Sequence, residues 1–325
     1  MKAKKIISLV LAMVMIFALC AAITSCSDKK KYTIGICQLV AHDALDAATK
    51  GFKDAVIKRL GEDNVEIDFQ NAANDTQACN TIITGFVAKN VDLIMANATP
   101  ALQAAANATE TIPILGTSIT EYGVALDIKN FDGVVGSNIS GTSDLAPLTE
   151  QADMIIELFP DAKKVGLLYC SAEANSEYQV KVVEDYLKSK DIECTRYSFS
   201  DSNDVAAIAE SAAANSDVIY IPTDNTAASC TETIHGIVSA KKVPVVAGEE
   251  GICSGCGVVT LSISYYEIGY KTGEMAADIL EEKQEIEKME IAYDPKPVKK
   301  YNKANCEALG IDTKALEDLG YVAIG

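Results

Sequence analysis

Tyr32-Thr33-Ile34-Gly35-Ile36-Cys37, then Asp43 to Leu60, then Val65-Glu66-Ile67-Asp68-Phe69 is the stretch that decides the fold. The first and third segments are short and rich in β-branched and aromatic residues. The middle one repeats apolar side chains at helical spacing, with Leu45, Ala48, Phe52, Ala55, Val56 and Leu60. Strand, helix and strand in this order predict parallel pairing, because a helical crossover returns the chain in its starting direction.

Downstream the rhythm continues. Thr76 to Lys89 reads as a helix, Val91 to Ala96 as a strand, Pro100 to Ala108 as a helix and Ile112 to Leu115 as a strand. After a break near Asp132 to Ser143 it resumes with helix Asp144 to Leu158, strand Lys164 to Tyr169, helix Ser176 to Lys188 and strand Glu193 to Tyr197. Helix Asp204 to Ala214, strand Val218 to Ile221, helix Thr226 to Lys241 and strand Val243 to Ala247 complete this block. Two such series predict an α/β chain of two doubly wound parallel-sheet lobes. Strand Val258 to Ile263, helix Tyr265 to Glu282 and a tail with a short helix at Lys303 to Leu309 are too little for a third domain. They must return to complete the two lobes, giving a hinge with several crossings and a cleft. The expected division is 32–137 plus 264–290 for one lobe and 138–263 plus 291–325 for the other.

The start of the chain has its own signature. Lys2, Lys4 and Lys5 precede an apolar run from Ile6 to Ala22, and Ile23-Thr24-Ser25-Cys26 follows. This is the layout of a secretory signal peptide over 1–25, and the residues before Cys26 resemble a bacterial lipobox. The resemblance implies lipid on Cys26, a wet tether over 26–31 and an extracytoplasmic protein anchored to a membrane. Three of the 28 basic residues leave with the leader, so the mature chain carries 25 against 46 acidic ones, a net charge of −21. Such a surface argues against nucleic acid. Of ten cysteines, eight remain after Cys20 and Cys26, and several lie in apolar strand runs, which suits free buried thiols. Cys253-Ser254-Gly255-Cys256 lacks a second pair or nearby histidines for zinc, so no metal and no cofactor is expected.

In open parallel sheets ligands bind beyond the carboxyl ends of the strands. The loops there contribute Gln38 and His42; Asn97 and Thr99; Thr117, Ser118 and Thr120; Glu173, Asn175 and Ser176; Thr223, Asp224 and Asn225; Glu249 and Glu250. Thr99-Pro100 suits a helix N-cap and first turn, a setting for a carboxylate, and Asp224 suits an ammonium. No G-x-S-x-G, G-x-x-x-x-G-K-[ST], H-E-x-x-H or G-x-G-x-x-G is present, and the chain reads as a binding protein, not an enzyme.

Several of these residues carry a resemblance over essentially the whole mature chain. Ile34-Gly35-Ile36-Cys37-Gln38 with His42-Asp43-Ala44-Leu45, Thr99-Pro100-Ala101, Asn138-Ile139-Ser140-Gly141-Thr142-Ser143-Asp144, Glu173 with Asn175-Ser176 and Gln179, Pro222-Thr223-Asp224-Asn225 and Tyr265-Tyr266-Glu267-Ile268-Gly269 are similar to ABC-transporter substrate-binding proteins of the TrpX type, which have the type I periplasmic binding protein fold. The resemblance implies capture of a small polar or zwitterionic solute, an amino acid and in many relatives an aromatic one. It also implies delivery to a permease served by an ATPase subunit, with a monomer sufficing. Carried over by position, the leading expected contacts are Thr99, Ser118, Asn175, Ser176, Asp224 and Asn225, and the strand-end loops add Gln38, His42, Thr120, Glu173 and Glu249 to the expected ligand-binding set. Two positions depart from the pattern: Glu121-Tyr122 stands where many relatives have Asp-Pro, and Ser264 where an Asp commonly precedes the paired aromatics. Tyr122 is a candidate either to stack on the solute or to fill space. The alternative is a lipid-anchored receptor feeding a membrane signalling protein, since fold and site would be alike.

Overall fold

Alternation along single strands shows how the layers form. In β1 (Tyr32–Gln38), Ile34 and Ile36 face one core cluster and Cys37 the other. In β3 (Leu93–Asn97), Leu93 and Met95 go one way and Ile94 and Ala96 the other. Both faces of the sheet are therefore buried, which requires helices on each side. The computed structural model describes residues 31–293 and 296–324, and the chain from Tyr32 onward forms one compact unit. The leader and Cys26 lie outside the described residues. Among the described residues, no helix is long and apolar enough to cross a membrane.

In chain order the first lobe contains β1, α1 (Asp43–Leu60), β2 (Val65–Asn71), α2 (Thr76–Ala88), β3, α3 (Thr99–Ala108), β4 (Ile114–Ile119), α4 (Tyr122–Ala125) and β5 (Ile139–Ser143). The second holds α5 (Leu148–Leu158), β6 (Lys164–Cys170), α6 (Ala174–Lys188), β7 (Glu193–Phe199), α7 (Val205–Asn215) and β8 (Val218–Ile221). It continues with α8 (Asn225–Ser229), α9 (Thr231–Lys241), β9 (Val245–Ala247), α10 (Glu250–Gly255) and β10 (Val259–Ser262). Then α11 (Tyr265–Leu280) and β11 (Ala292–Tyr293) return to the first lobe. Next, β12 (Val298–Tyr301), α12 (Lys303–Leu309), α13 (Thr313–Asp318) and β13 (Val322–Ala323) finish the second. The sheets run β11-β5-β4-β3-β1-β2 and β13-β12-β10-β9-β8-β6-β7, parallel except for the β10/β12 pair. This is the expected two-lobed α/β architecture.

The chain passes between the sheets after Ser143, after Ser262 and after Tyr293. The sequence division therefore needs moving at two places: β5 pairs with β4, and β11 with β5, so 139–143 and 292–293 belong to the first sheet. The break near 132–143 hid β5 because its buried residues are small and hydroxylic rather than apolar. Thr142 Oγ1 bonds Thr117 Oγ1 at 3.1 Å and Thr272 Oγ1 at 2.8 Å, and Ser140 Oγ donates to the Met289 carbonyl. Hydroxyl pairs replace the apolar signal there. Two further expectations shift: α5 begins at Leu148, not Asp144, and the helix expected over Thr226 to Lys241 breaks at Cys230.

Helix α11 anchors the second crossing by lying on α1 at backbone contact. A Cβ on Gly269 would sit 2.0 Å from the Ala48 carbonyl oxygen, and one on Gly51 would sit 2.1 Å from the Tyr266 oxygen. Only glycine allows this approach. The eight cysteines from Cys37 to Cys306 are free thiols, all buried except the half-buried Cys194 and Cys230.

Candidate functional site

The carboxyl edges of the two sheets face each other. From the first lobe, His42 Nε2 lies 3.3 Å from Asn225 Oδ1, and Asn74 Nδ2 donates to Thr226 Oγ1 at 3.1 Å. Thus the loops after β1 and β2 meet the start of α8. The polar residues that sequence places at these edges are nearly all buried, including Gln38, Thr99, Ser118, Thr120, Glu173, Asn175, Ser176, Asp224, Asn225 and Glu249, while His42 is half-buried.

Hydrogen-bond partners divide them. Gln38 is committed inside its own lobe: Nε2 donates to the Val40 carbonyl and to Asp46 Oδ1, and Oε1 accepts from Thr49 Oγ1 and Asn97 Nδ2. Asp224 was expected to face an ammonium, but Oδ1 accepts from the Ala227 N–H at 2.7 Å and Oδ2 from the Cys170 N–H at 2.6 Å. It is the N-cap of α8 and ties that helix to β6. Burial, with the Glu173 charge added, pushes its carboxyl up to about 7. Glu249 is likewise an N-cap. Its oxygens accept from the Gly251 and Ile252 N–H groups of α10, and burial pushes it up to about 7. Glu250 opens that helix and pairs with Lys300. Glu173 accepts from five donors of its own lobe.

A second group keeps unmatched atoms. Buried polar atoms without a partner are His42 Nδ1, Asn97 Oδ1, Ser118 Oγ, Asp144 Oδ1 and Asn175 Oδ1, all at or just past strand ends at the facing edges; Thr260 Oγ1 and Tyr321 OH complete the set among the described residues. Orphaned buried groups are costly and rare in folded proteins, so their clustering at one edge marks a place built for something else to bond. Asp144, 3 % exposed, was not among the expected contacts. It follows β5 directly, and its Oδ2 accepts from the Tyr265 hydroxyl at 2.8 Å, joining the first two crossings. Burial raises its carboxyl, partly offset by the Tyr265 and Thr120 hydroxyls. Its place in the motif Asn138 to Asp144 was the available signal.

The first lobe also holds strained backbone at this edge. Ala98 (φ 89°), directly after β3, and Ser118 (φ 56°), near the end of β4, lie in a region that favours glycine. The sequence places Thr99 at the N-cap of α3, but Ala98 occupies the cap, Thr99 opens the helix and Pro100 follows. Ala98 has no side-chain acceptor, and the first turn carries no acid, so these N–H groups stay uncapped by the protein.

Tyr122 fills space in the first lobe and does not face a solute. It is 1 % exposed, donates to the Thr142 carbonyl at 3.1 Å and stacks on Phe131 at 6.4 Å. The two departures from the family pattern are both helix caps: Glu121 accepts from the Val124 N–H of α4 and Ser264 from the Glu267 N–H of α11. Each does the capping that an Asp would do.

Residues 33–316 match the family of ABC transporter substrate binding proteins. A tyrosine-binding protein of Clostridioides difficile (strain R20291) is 38% identical over 299 residues, 87% of this chain and 86% of that protein. The crystal structure of an ABC domain in complex with L-Trp from Streptococcus pneumonia superposes with TM-score 0.85 at 28% identity, covering 91% of this chain and all of the other. The ligand-free, open structure of a substrate binding protein with adhesive properties from Clostridium difficile is 35% identical over 90% of this chain and all of the other, with TM-score 0.68. Family and relatives are binding proteins rather than enzymes. The chain belongs to the ABC transporter substrate binding protein family.

Proposed function

We propose that this protein captures a free amino acid, an aromatic one such as tyrosine or tryptophan, between its lobes and passes it to an ABC permease while held at the membrane through lipid on Cys26. One observation carries the amino-acid reading. The helix starts α8 and α10 of the second lobe are already capped by Asp224 and Glu249, whereas the start of α3 is open and flanked by the unpartnered Ser118 hydroxyl. A carboxylate fits an uncapped helix start. The unpartnered oxygens of Asp144 and Asn175 accept, which suits an ammonium. A zwitterion satisfies both ends.

Thr99, Ser118 and Thr120 are assigned to the carboxylate end, with Asp144, Asn175 and Ser176 at the other; Gln38, Glu173, Asp224 and Glu249 support the walls. The cross-lobe hydrogen bonds support a closed arrangement, as does a TM-score of 0.85 with the L-Trp complex against 0.68 with the open, ligand-free relative, although the latter is closer in sequence. Solute held by one lobe and then touched by the other favours closure, the state a permease would engage. Calorimetry of the chain from Cys26 onward against tyrosine, tryptophan, phenylalanine, leucine and glutamate tests this. Heat and a raised melting temperature with the aromatic amino acids are expected. Silence across all five sinks the amino-acid reading.

A further inference from the structure

Glu173 is 4 % exposed, and donors of its own lobe surround its carboxylate. Oε2 accepts from the Asn225 N–H at 3.1 Å, Asn225 Nδ2 at 2.7 Å and Asn175 Nδ2 at 3.3 Å, and Oε1 accepts from the Thr226 N–H at 2.9 Å and Thr226 Oγ1 at 2.8 Å. Five donors saturate the roughly four lone-pair directions of a carboxylate. Nothing is left for a solute's ammonium.

That saturation fixes what the second lobe shows to the first. A carboxylate only accepts, so Asn225 must turn its NH2 to Glu173 and its oxygen outward, where His42 Nε2 lies at 3.3 Å. An amide oxygen only accepts, so His42 carries its proton on Nε2 and leaves Nδ1 as the bare, buried nitrogen. In the same way Thr226 gives its hydroxyl proton to Glu173 and keeps a lone pair for Asn74 Nδ2 at 3.1 Å. Asn74 is itself held ready: its N–H donates to the Leu39 carbonyl at 2.8 Å, and its φ of 63° is one that Asn tolerates well.

We infer that Glu173 is a positioning residue that presents Asn225 and Thr226 to His42 and Asn74, and that this contact is a latch favouring the closed lobes without touching the solute. The inference rests on the binding reading only in linking closure to capture. Because the bonds join protein to protein, they act on the open–closed equilibrium. Apparent affinity then scales with the closed fraction, equally for every solute.

The test variant is His42→Ala with Asn74→Ala, both on the first lobe, which leaves the Glu173 cluster intact. Small-angle scattering of the ligand-free protein should give a larger radius of gyration for the double variant than for wild type. Calorimetry should show affinities for L-tyrosine and L-tryptophan lowered together by ~10-fold, the scale of two neutral hydrogen bonds, with their ratio unchanged. Glu173→Gln, which turns an NH2 toward backbone N–H groups, should give a similar loss and add little to the double variant. Equal affinities in wild type and double variant would overturn the latch. So would a shifted tyrosine-to-tryptophan ratio, since His42 would then touch the solute, and so would fully multiplicative losses on adding Glu173→Gln. Should neither amino acid bind wild type, the solute reading fails, and ligand-free scattering alone decides the latch: equal radii overturn it.

Discussion

Replacing Asp144 with Asn tests the ammonium end of the proposed site, because binding and stability should move in opposite directions. Without solute the Asp144 carboxylate is buried, Oδ1 has no hydrogen-bond partner, and the Tyr265 and Thr120 hydroxyls offset its desolvation only in part. Burial raises the carboxyl, so its ionised form costs stability at neutral pH. An amide of the same shape removes that cost, and the ligand-free variant should melt higher. With solute bound, the missing partner is a charge-assisted hydrogen bond, worth about 1.5–3 kcal/mol, or about 10- to 100-fold in affinity. The amide cannot replace it. If its oxygen takes the Tyr265 proton, its NH2 faces the ammonium; if it flips, the tyrosine loses its acceptor. Thermal unfolding and titration calorimetry with L-tyrosine on wild type and Asp144→Asn read both signs. Affinity within twofold of wild type, or a lower melting temperature with unchanged binding, would remove Asp144 from the ammonium site and leave it as a hinge strut.

Other outcomes follow from the same geometry. Gly269→Ala forces α1 and α11 apart, because its Cβ would meet the Ala48 carbonyl at 2.0 Å; a loss of about 2 kcal/mol or more in urea unfolding is expected, on the scale of overpacking. Burial lowers the His42 pKa below 6.5 in the closed form, against the opposing charges of Glu173, Asp46 and Asp43. The closed form therefore prefers neutral His42, and L-tyrosine affinity should weaken as pH falls below about 6.5, the imidazole's unperturbed value. His42→Ala should remove that limb of the pH profile, and a persisting limb assigns it elsewhere. Glu249, pushed up from 4.5 to about 7, favours the folded state while protonated; that stability fades as pH rises from about 4.5 through 7, and Glu249→Gln should flatten the melting-temperature profile there. Alkylation of the native protein should label Cys230 and Cys194 ahead of the six buried cysteines, with all eight reacting after denaturation without reductant.

The fold was legible because its signal is redundant. Each buried strand of a parallel sheet carries an apolar run, each crossover helix an apolar stripe, and their alternation leaves few topologies. Strand β5 was missed, as were the short tail strands β11, β12 and β13, and in β5 the chemistry explains why. Ile139-Ser140-Gly141-Thr142-Ser143 is wholly buried yet reads as a polar loop, because the hydroxyls of Ser140 and Thr142 find their partners in β4, α11 and the segment at Met289. No local pattern contains that information. The lobe boundary was misplaced for the same reason, since it was drawn at the start of this segment.

The site was legible as a location but not as a set of roles. Sequence can say that a polar residue ends a strand at the edge where ligands bind. Whether that residue has a lone pair or proton to spare depends on neighbours brought in by the fold. Asp224 and Glu249 look from sequence like free carboxylates in loops, yet each is bonded to N–H groups of the helix it opens. Four of the five donors that saturate Glu173 come from residues more than fifty positions away. Asp144 looked like the start of a helix, and is instead the carboxylate with an oxygen left over. On the proposed reading this cleft uses acids twice, as caps that close the starts of α8 and α10 to anions and as an acceptor for a cation. With those two starts filled from within, and with acids in the first turns of the likewise uncapped α1 and α6, an anionic group is under that reading directed to α3, whose start carries neither cap nor acid, and the orientation of the solute follows from that.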